Sequence, residues 1–279
     1  MKFVDVFDDI QLSDGQLKLV AQLEDFFKDD RACCFLMKGY AGTGKTFMLN
    51  GVVSWLKSKG RDCRVFAPTG RAAKVASLRL KGLDCSASTI HTAVYSSSNL
   101  KEYKIEEEDG SETFKFFFGL SRNQDVTNAV YIVDEASMLS NVYAEGEFFR
   151  FGSGCLLDDL IEYIQLKNPA MNRKLIFVGD DAQLPPVGMS LSPALSGNYI
   201  RERFGLSTAE YELPDVVRQN KDSVVLMNAS RLRKSLTDRN FNYLKIEERG
   251  EVCALGGADI AQRYFKLCGG ASRYAEKEG

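Results

Sequence analysis

Apolar residues along this chain follow two rhythms, short apolar runs and stripes at helical spacing. Four runs, at 33–37, 63–67, 129–133 and 175–178, each predict a strand buried on both faces. Helical stripes fall at 16–28, 47–59, 71–80 and 156–166. Ser13 and Gln16 form an S-x-x-Q capping box that starts the first of these helices. Strands alternating with helices predict an α/β domain with a mostly parallel sheet and helices on both faces. Ligands of such a domain bind beyond the C-terminal strand ends.

Two segments depart from this alternation. Residues 103–118 read as two strand-like arms around Asp109-Gly110, a two-residue hairpin turn, within an insertion at about 97–126. Such a hairpin is either a surface arm or a working part. After Tyr211 to Leu213 the pattern changes to an amphipathic stripe, Val225, Ala229, Leu232 and Leu236, followed by a less regular tail. This divides the chain into a first domain at 1–212 and a second at 213–279.

The 279 residues suffice for one large domain or two smaller ones, and a 44% hydrophobic, 27% charged composition is that of an ordinary globular protein. No apolar run reaches membrane-spanning length, and the N-terminus lacks a signal-peptide core, so a cytoplasmic location with no membrane partner is the expectation. Seven cysteines without a C-x-x-C pair, and a single histidine, read as reduced thiols and not as a zinc site. A net charge of −2 counts mildly against nucleic-acid binding, although an acidic protein can carry a basic groove.

The chemistry gathers at strand ends. GYAGTGKT, comprising Gly39, Tyr40, Ala41, Gly42, Thr43, Gly44, Lys45 and Thr46, lies between a predicted strand and a predicted helix. Backbone N–H groups and the positive end of the helix dipole then meet at one spot suited to a polyphosphate. Lys45 would reach the β- and γ-phosphates and the Thr46 hydroxyl would ligate Mg²⁺. The third strand ends in Asp134, placed to hold Mg²⁺ through its water shell, and Glu135, placed to polarise an attacking water. The fourth runs into GDDAQLPPV, where Gly179 permits a sharp turn, Pro185 and Pro186 stiffen the loop, and the Gln183 amide can bond a γ-phosphate or its water. Pro68, Thr69, Gly70 and Arg71 follow the second strand and suit contact with a nucleic-acid backbone. Thr89 and His91 either line a single strand threading the domain or serve the structure, as a lone histidine often does. Tyr95 is either a core residue or a base-stacking face.

In order, GYAGTGKT, APTGRAA, TIH, VDEASM, GDDAQLPPV and ELPDVVRQ resemble the motifs of superfamily 1 DNA helicases of the 5′-to-3′ RecD-like branch, over roughly residues 10–220. The resemblance implies RecA-like motor domains that hydrolyse ATP with Mg²⁺ and move on single-stranded DNA, opening forked duplexes. It implies that Gln16 reads the adenine, that Gln183 senses the γ-phosphate, and that Arg218 reaches that phosphate from the second domain. It also places the hairpin where the family carries a strand-separating element. The family's later motifs have no counterpart after Gln219. The second RecA-like domain is therefore expected to be incomplete and the chain to be an N-terminal piece with weak or no activity alone. Two rivals stay open: a non-motor P-loop enzyme such as a kinase, and a non-catalytic nucleic-acid-binding module with structural ATP. Repair, recombination and element transfer are equally open as roles.

Overall fold

Side chains at alternate positions of the four runs pack to opposite faces of a parallel sheet, which is why three runs are apolar throughout and 63–67 is broken only by the exposed Arg64. The computed structural model describes residues 1–7, 10–83, 85–106, 112–214, 223–240, 245–250 and 252–268. Its strands are β1 (Cys34–Gly39), β2 (Cys63–Ala67), β3 (Ala87–Thr89), β4 (Tyr95–Glu106), β5 (Glu112–Leu120), β6 (Val130–Val133), β7 (Phe149–Phe151), β8 (Lys174–Gly179) and β9 (Thr208–Leu213). The helices are α1 (Asp14–Lys28), α2 (Lys45–Ser58), α3 (Gly70–Arg79), α4 (Ile90–Val94), α5 (Leu156–Ile164), α6 (Gly197–Phe204), α7 (Val224–Asp238) and α8 (Gly257–Cys268).

Six strands form one sheet in the order β3-β2-β6-β8-β1-β9, every neighbouring pair parallel. Phe35, Met37, Ile132, Ile176 and Val178 face α1 and α2, where Leu19, Leu23, Met48 and Val52 complete one core. Cys34, Leu36, Tyr131, Val133, Leu175 and Phe177 face the other way, onto Ile90, Leu157, Leu160 and Ile200. Burying each such side chain contributes about 1.5–3 kcal/mol, so the two cores hold the sheet between helical layers. This is the α/β architecture the alternation predicts, of the RecA-like P-loop kind that the resemblance implies.

The predicted elements end close to the observed ones, with two informative differences. Tyr211 to Leu213 closes β9, which pairs with β1 from Cys34↔Thr208 to Gly39↔Leu213. These residues therefore belong to the first unit, Met1–Arg218, and the second is Gln219–Gly279. As an edge strand, β9 mixes half-buried and exposed positions, with only Leu213 buried, and so lacks an unbroken apolar run. Gly179, in turn, has no left-handed backbone. A Cβ there would meet Leu195 Cδ1 at 2.8 Å and Ser137 N at 3.1 Å, so close packing, and not a turn, calls for glycine.

The inserted arms are longer than their pattern shows. β4 and β5 pair antiparallel from Leu100↔Phe118 to Glu106↔Glu112, with a register shift back to Tyr95, and β7 adds to β5 in parallel. Asp109 and Gly110 lie outside the described residues. In the second unit the described elements are α7, which carries Val225, Ala229 and Leu232, and α8. Among the described residues no helix is long and apolar enough to cross a membrane.

Candidate nucleotide-binding site

The loop between β1 and α2 owes its shape to glycine. Gly42 and Gly44 take φ values of 87° and 91°, a left-handed backbone that strains other residues. At Gly44, which caps α2, a Cβ would also lie 2.8 Å from Gln16 Nε2. At Gly39 it would fall 2.6 Å from Thr43 Oγ1. Thr43 Oγ1 donates to the Tyr40 carbonyl at 3.0 Å, bracing the loop from within. Lys45 Nζ donates to the Gly39 and Tyr40 carbonyls at 2.6 and 2.9 Å, so the ammonium is held at the mouth of the loop.

Around Lys45 gather carboxylates from two other strand ends. Burial lowers its pKa, while Asp180, Glu135, Asp134 and Asp181 act to raise it. Asp134, after β6, is buried and its Oδ1 accepts a hydrogen bond from the Glu135 N–H at 3.0 Å. Glu135 itself has φ 53° and ψ 39°, a left-handed conformation costing about 1–2 kcal/mol in a residue with a Cβ. Such strain is often kept where a side chain must be aimed. Asp180, after β8, accepts from the Ala182 N–H at 3.0 Å. Across the gap between these loops, Ser137 Oγ donates to Gln183 Oε1 at 3.3 Å.

Gln16 is 3% exposed, and its Oε1 accepts from the Ser13 N–H at 3.0 Å, completing the capping box. Its carboxamide thus lies against the phosphate loop with the oxygen already bonded. Thr69 caps α3, its Oγ1 accepting from the Ala72 N–H at 3.2 Å, and Thr69, Gly70 and Arg71 are exposed. Thr89 caps α4 in the same way, and His91 on α4 is exposed, its ring against Tyr95 and Phe151. Tyr95 is a core residue: it is buried, and its hydroxyl donates to Asp159 Oδ2 at 2.7 Å. Arg218 lies outside the described residues.

The motifs thus follow the C-terminal ends of adjacent strands. Gly39–Thr46 follows β1, Asp180 and Gln183 follow β8, Asp134 and Glu135 follow β6, Pro68–Arg71 follow β2, and Thr89 and His91 lie at and just after the end of β3. Two participants are given no role by the motif reading. Asp180 is the first acid of GDD, and its glycine-acid setting was a usable sign. Arg79, the last residue of α3, donates to Thr46 Oγ1 at 3.3 Å and sits inside no motif.

Thr46 and Asp134 offer the hard oxygen donors that Mg²⁺ prefers, and burial raises the pKa of Asp134 against the opposing charges of Arg79 and Lys45. Both features fit a magnesium ion whose remaining ligands are phosphates and water. Among the described residues no group of three or more His, Cys, Asp or Glu could hold a metal unaided.

Fold and loop together define a P-loop domain. Residues 11–147 match the family model described as an AAA domain. Over 174 residues the chain is 26% identical to the uncharacterized protein R530 of Acanthamoeba polyphaga mimivirus, an alignment covering 60% of this chain and 32% of that protein. The chain thus spans about a third of the length of this curated relative.

One consequence concerns stability. Burial, with Asp134 beside it, raises the Glu135 pKa. A carboxyl whose folded pKa exceeds its unfolded value favours the fold when protonated, and that contribution is lost as pH rises through the folded pKa. Glu135→Gln is therefore expected to melt at a higher temperature than the parent near pH 7. The gap should close towards about pH 4, below the ordinary glutamate value. Equal melting temperatures near neutrality would show that Lys45 and Arg79 already compensate the charge.

Proposed function

We propose that this chain carries the first motor domain of an ATP-dependent motor of RecD-like type, which hydrolyses ATP with Mg²⁺ to move on single-stranded DNA and forked duplexes. The observation that best supports this reading is the order of the motifs on the sheet. The nucleotide motifs end β1, β8 and β6, and the backbone-contact motifs end the adjoining β2 and β3. A sheet that carries both on one edge can pass a change at the γ-phosphate to the strand beside it.

In this reading Lys45 and the loop N–H groups hold the phosphates, and Gln16 lies beside the adenine. Thr46 and Asp134 would hold Mg²⁺, which would supply positive charge against the phosphates. Glu135 accepts a proton from the attacking water while Gln183 orients it. Thr69, Gly70, Arg71, Thr89 and His91 contact DNA, with Pro68 fixing the start of that turn.

The test is phosphate release by the purified chain with and without oligo-dT. Stimulation by oligo-dT that Arg71→Ala reduces, with a steep salt dependence, is the expected result. Basal hydrolysis indifferent to oligo-dT, or phosphate passed to a small-molecule acceptor, would instead favour a non-motor P-loop enzyme.

A further inference from the structure

Thr46 is a ligand that two cations can claim. Its Oγ1 accepts a hydrogen bond from Arg79 Nη1 at 3.3 Å, and the same hydroxyl is the protein's own ligand for Mg²⁺ in the reading above. The influence of Arg79 extends further, because its positive charge also acts on Asp134 and Glu135.

The backbone of Arg79 is fixed independently of its side chain. Asn50 Nδ2, one turn beyond Thr46 on α2, donates to the Arg79 carbonyl at 3.3 Å. The end of α3 is therefore docked on α2, while the exposed side chain is free to leave. Positive charges sharing one hydroxyl and one acidic pair repel each other.

We propose that Arg79 is a positioning residue that competes with Mg²⁺ for Thr46 and the Asp134–Glu135 pair, so that metal loading displaces its guanidinium. This rests on the nucleotide reading of the loop. Its consequence is a raised magnesium threshold: the bound nucleotide takes its metal only when the arginine yields. It also joins the metal site to α3, the helix that Thr69 caps at its other end.

The experiment titrates Mg²⁺ into the full chain carrying a fluorescent N-methylanthraniloyl ADP bound in EDTA, and reads the magnesium midpoint from fluorescence. R79Q keeps a hydrogen-bonding group without charge, and R79A keeps neither. Both are expected to lower the midpoint about ten-fold. R79K restores a positive charge and should stay within about two-fold of the parent, a rescue that a merely structural contact would not produce. Because the Asn50 contact uses the backbone carbonyl, none of these changes removes it. An unchanged or raised midpoint in R79A and R79Q, with nucleotide still bound, overturns the proposal and leaves the nucleotide reading standing. Failure of the parent chain to bind the nucleotide overturns both.

Discussion

Lys45→Ala is expected to weaken nucleotide binding about 10- to 100-fold, whereas Glu135→Gln should bind as the parent does and lose turnover by about 10²–10⁴. The two changes separate because the groups act at different stages. In this reading the Lys45 ammonium contacts phosphate in the ground state, and a hydrogen bond to a charged partner is worth about 1.5–3 kcal/mol. Glu135 acts only as a proton leaves the attacking water, so its loss falls on the transition state. The geometry sharpens the contrast. Lys45 now donates to the Gly39 and Tyr40 carbonyls at the loop mouth, a short swing from any phosphate seated there. Fluorescent-nucleotide titration and phosphate release on the same samples check both halves. Parent-rate hydrolysis by Glu135→Gln would remove Glu135 from the chemistry, and the left-handed backbone that aims it would need another explanation.

What the sequence discloses here depends on how many neighbours a residue answers to. Central strands are legible because both faces are buried, and β1, β2, β6 and β8 lie within two residues of their apolar runs. Edge strands are not. β3 and β9 bury one side or less, and Leu213 consequently passes for the start of a new domain. The phosphate loop is legible because two left-handed glycines and a helix start leave few alternatives. Arg79 is invisible for the opposite reason. Its contact with Thr46 depends on how α3 crosses α2, a tertiary fact with no local pattern. Tyr95 shows the same limit, since only the partner Asp159, 64 residues away, decides between core and surface.

Lys174→Met is expected to destabilise the first unit by about 2–4 kcal/mol, a large share of the roughly 5–15 kcal/mol that holds a typical domain. Lys174 opens β8 and is 1% exposed. Its Nζ donates to three carbonyls, Phe26 at 2.9 Å, Asp29 at 2.7 Å and Ala32 at 2.6 Å, and lies 4.6 Å from the centre of the Phe26 ring. These carbonyls belong to the end of α1 and the turn into β1, where the helix dipole favours a cation. Two effects oppose each other. Burial lowers the lysine pKa, with Arg61 adding repulsion, so removing the charge recovers some desolvation energy. Against that, methionine fills the space but donates nothing, and the buried carbonyls of Phe26 and Ala32 each cost about 1–3 kcal/mol on losing their donor, while that of exposed Asp29 can turn to water. Two such losses outweigh the recovered desolvation, and the ring contact with Phe26 is weakened as well. Urea unfolding should show a lower midpoint with an unchanged slope, since the surface exposed on unfolding stays the same. A Lys174→Met midpoint equal to the parent's would mean that water or backbone readjustment serves those carbonyls. The ammonium would then not be what fastens α1 to the sheet on which the phosphate loop is built.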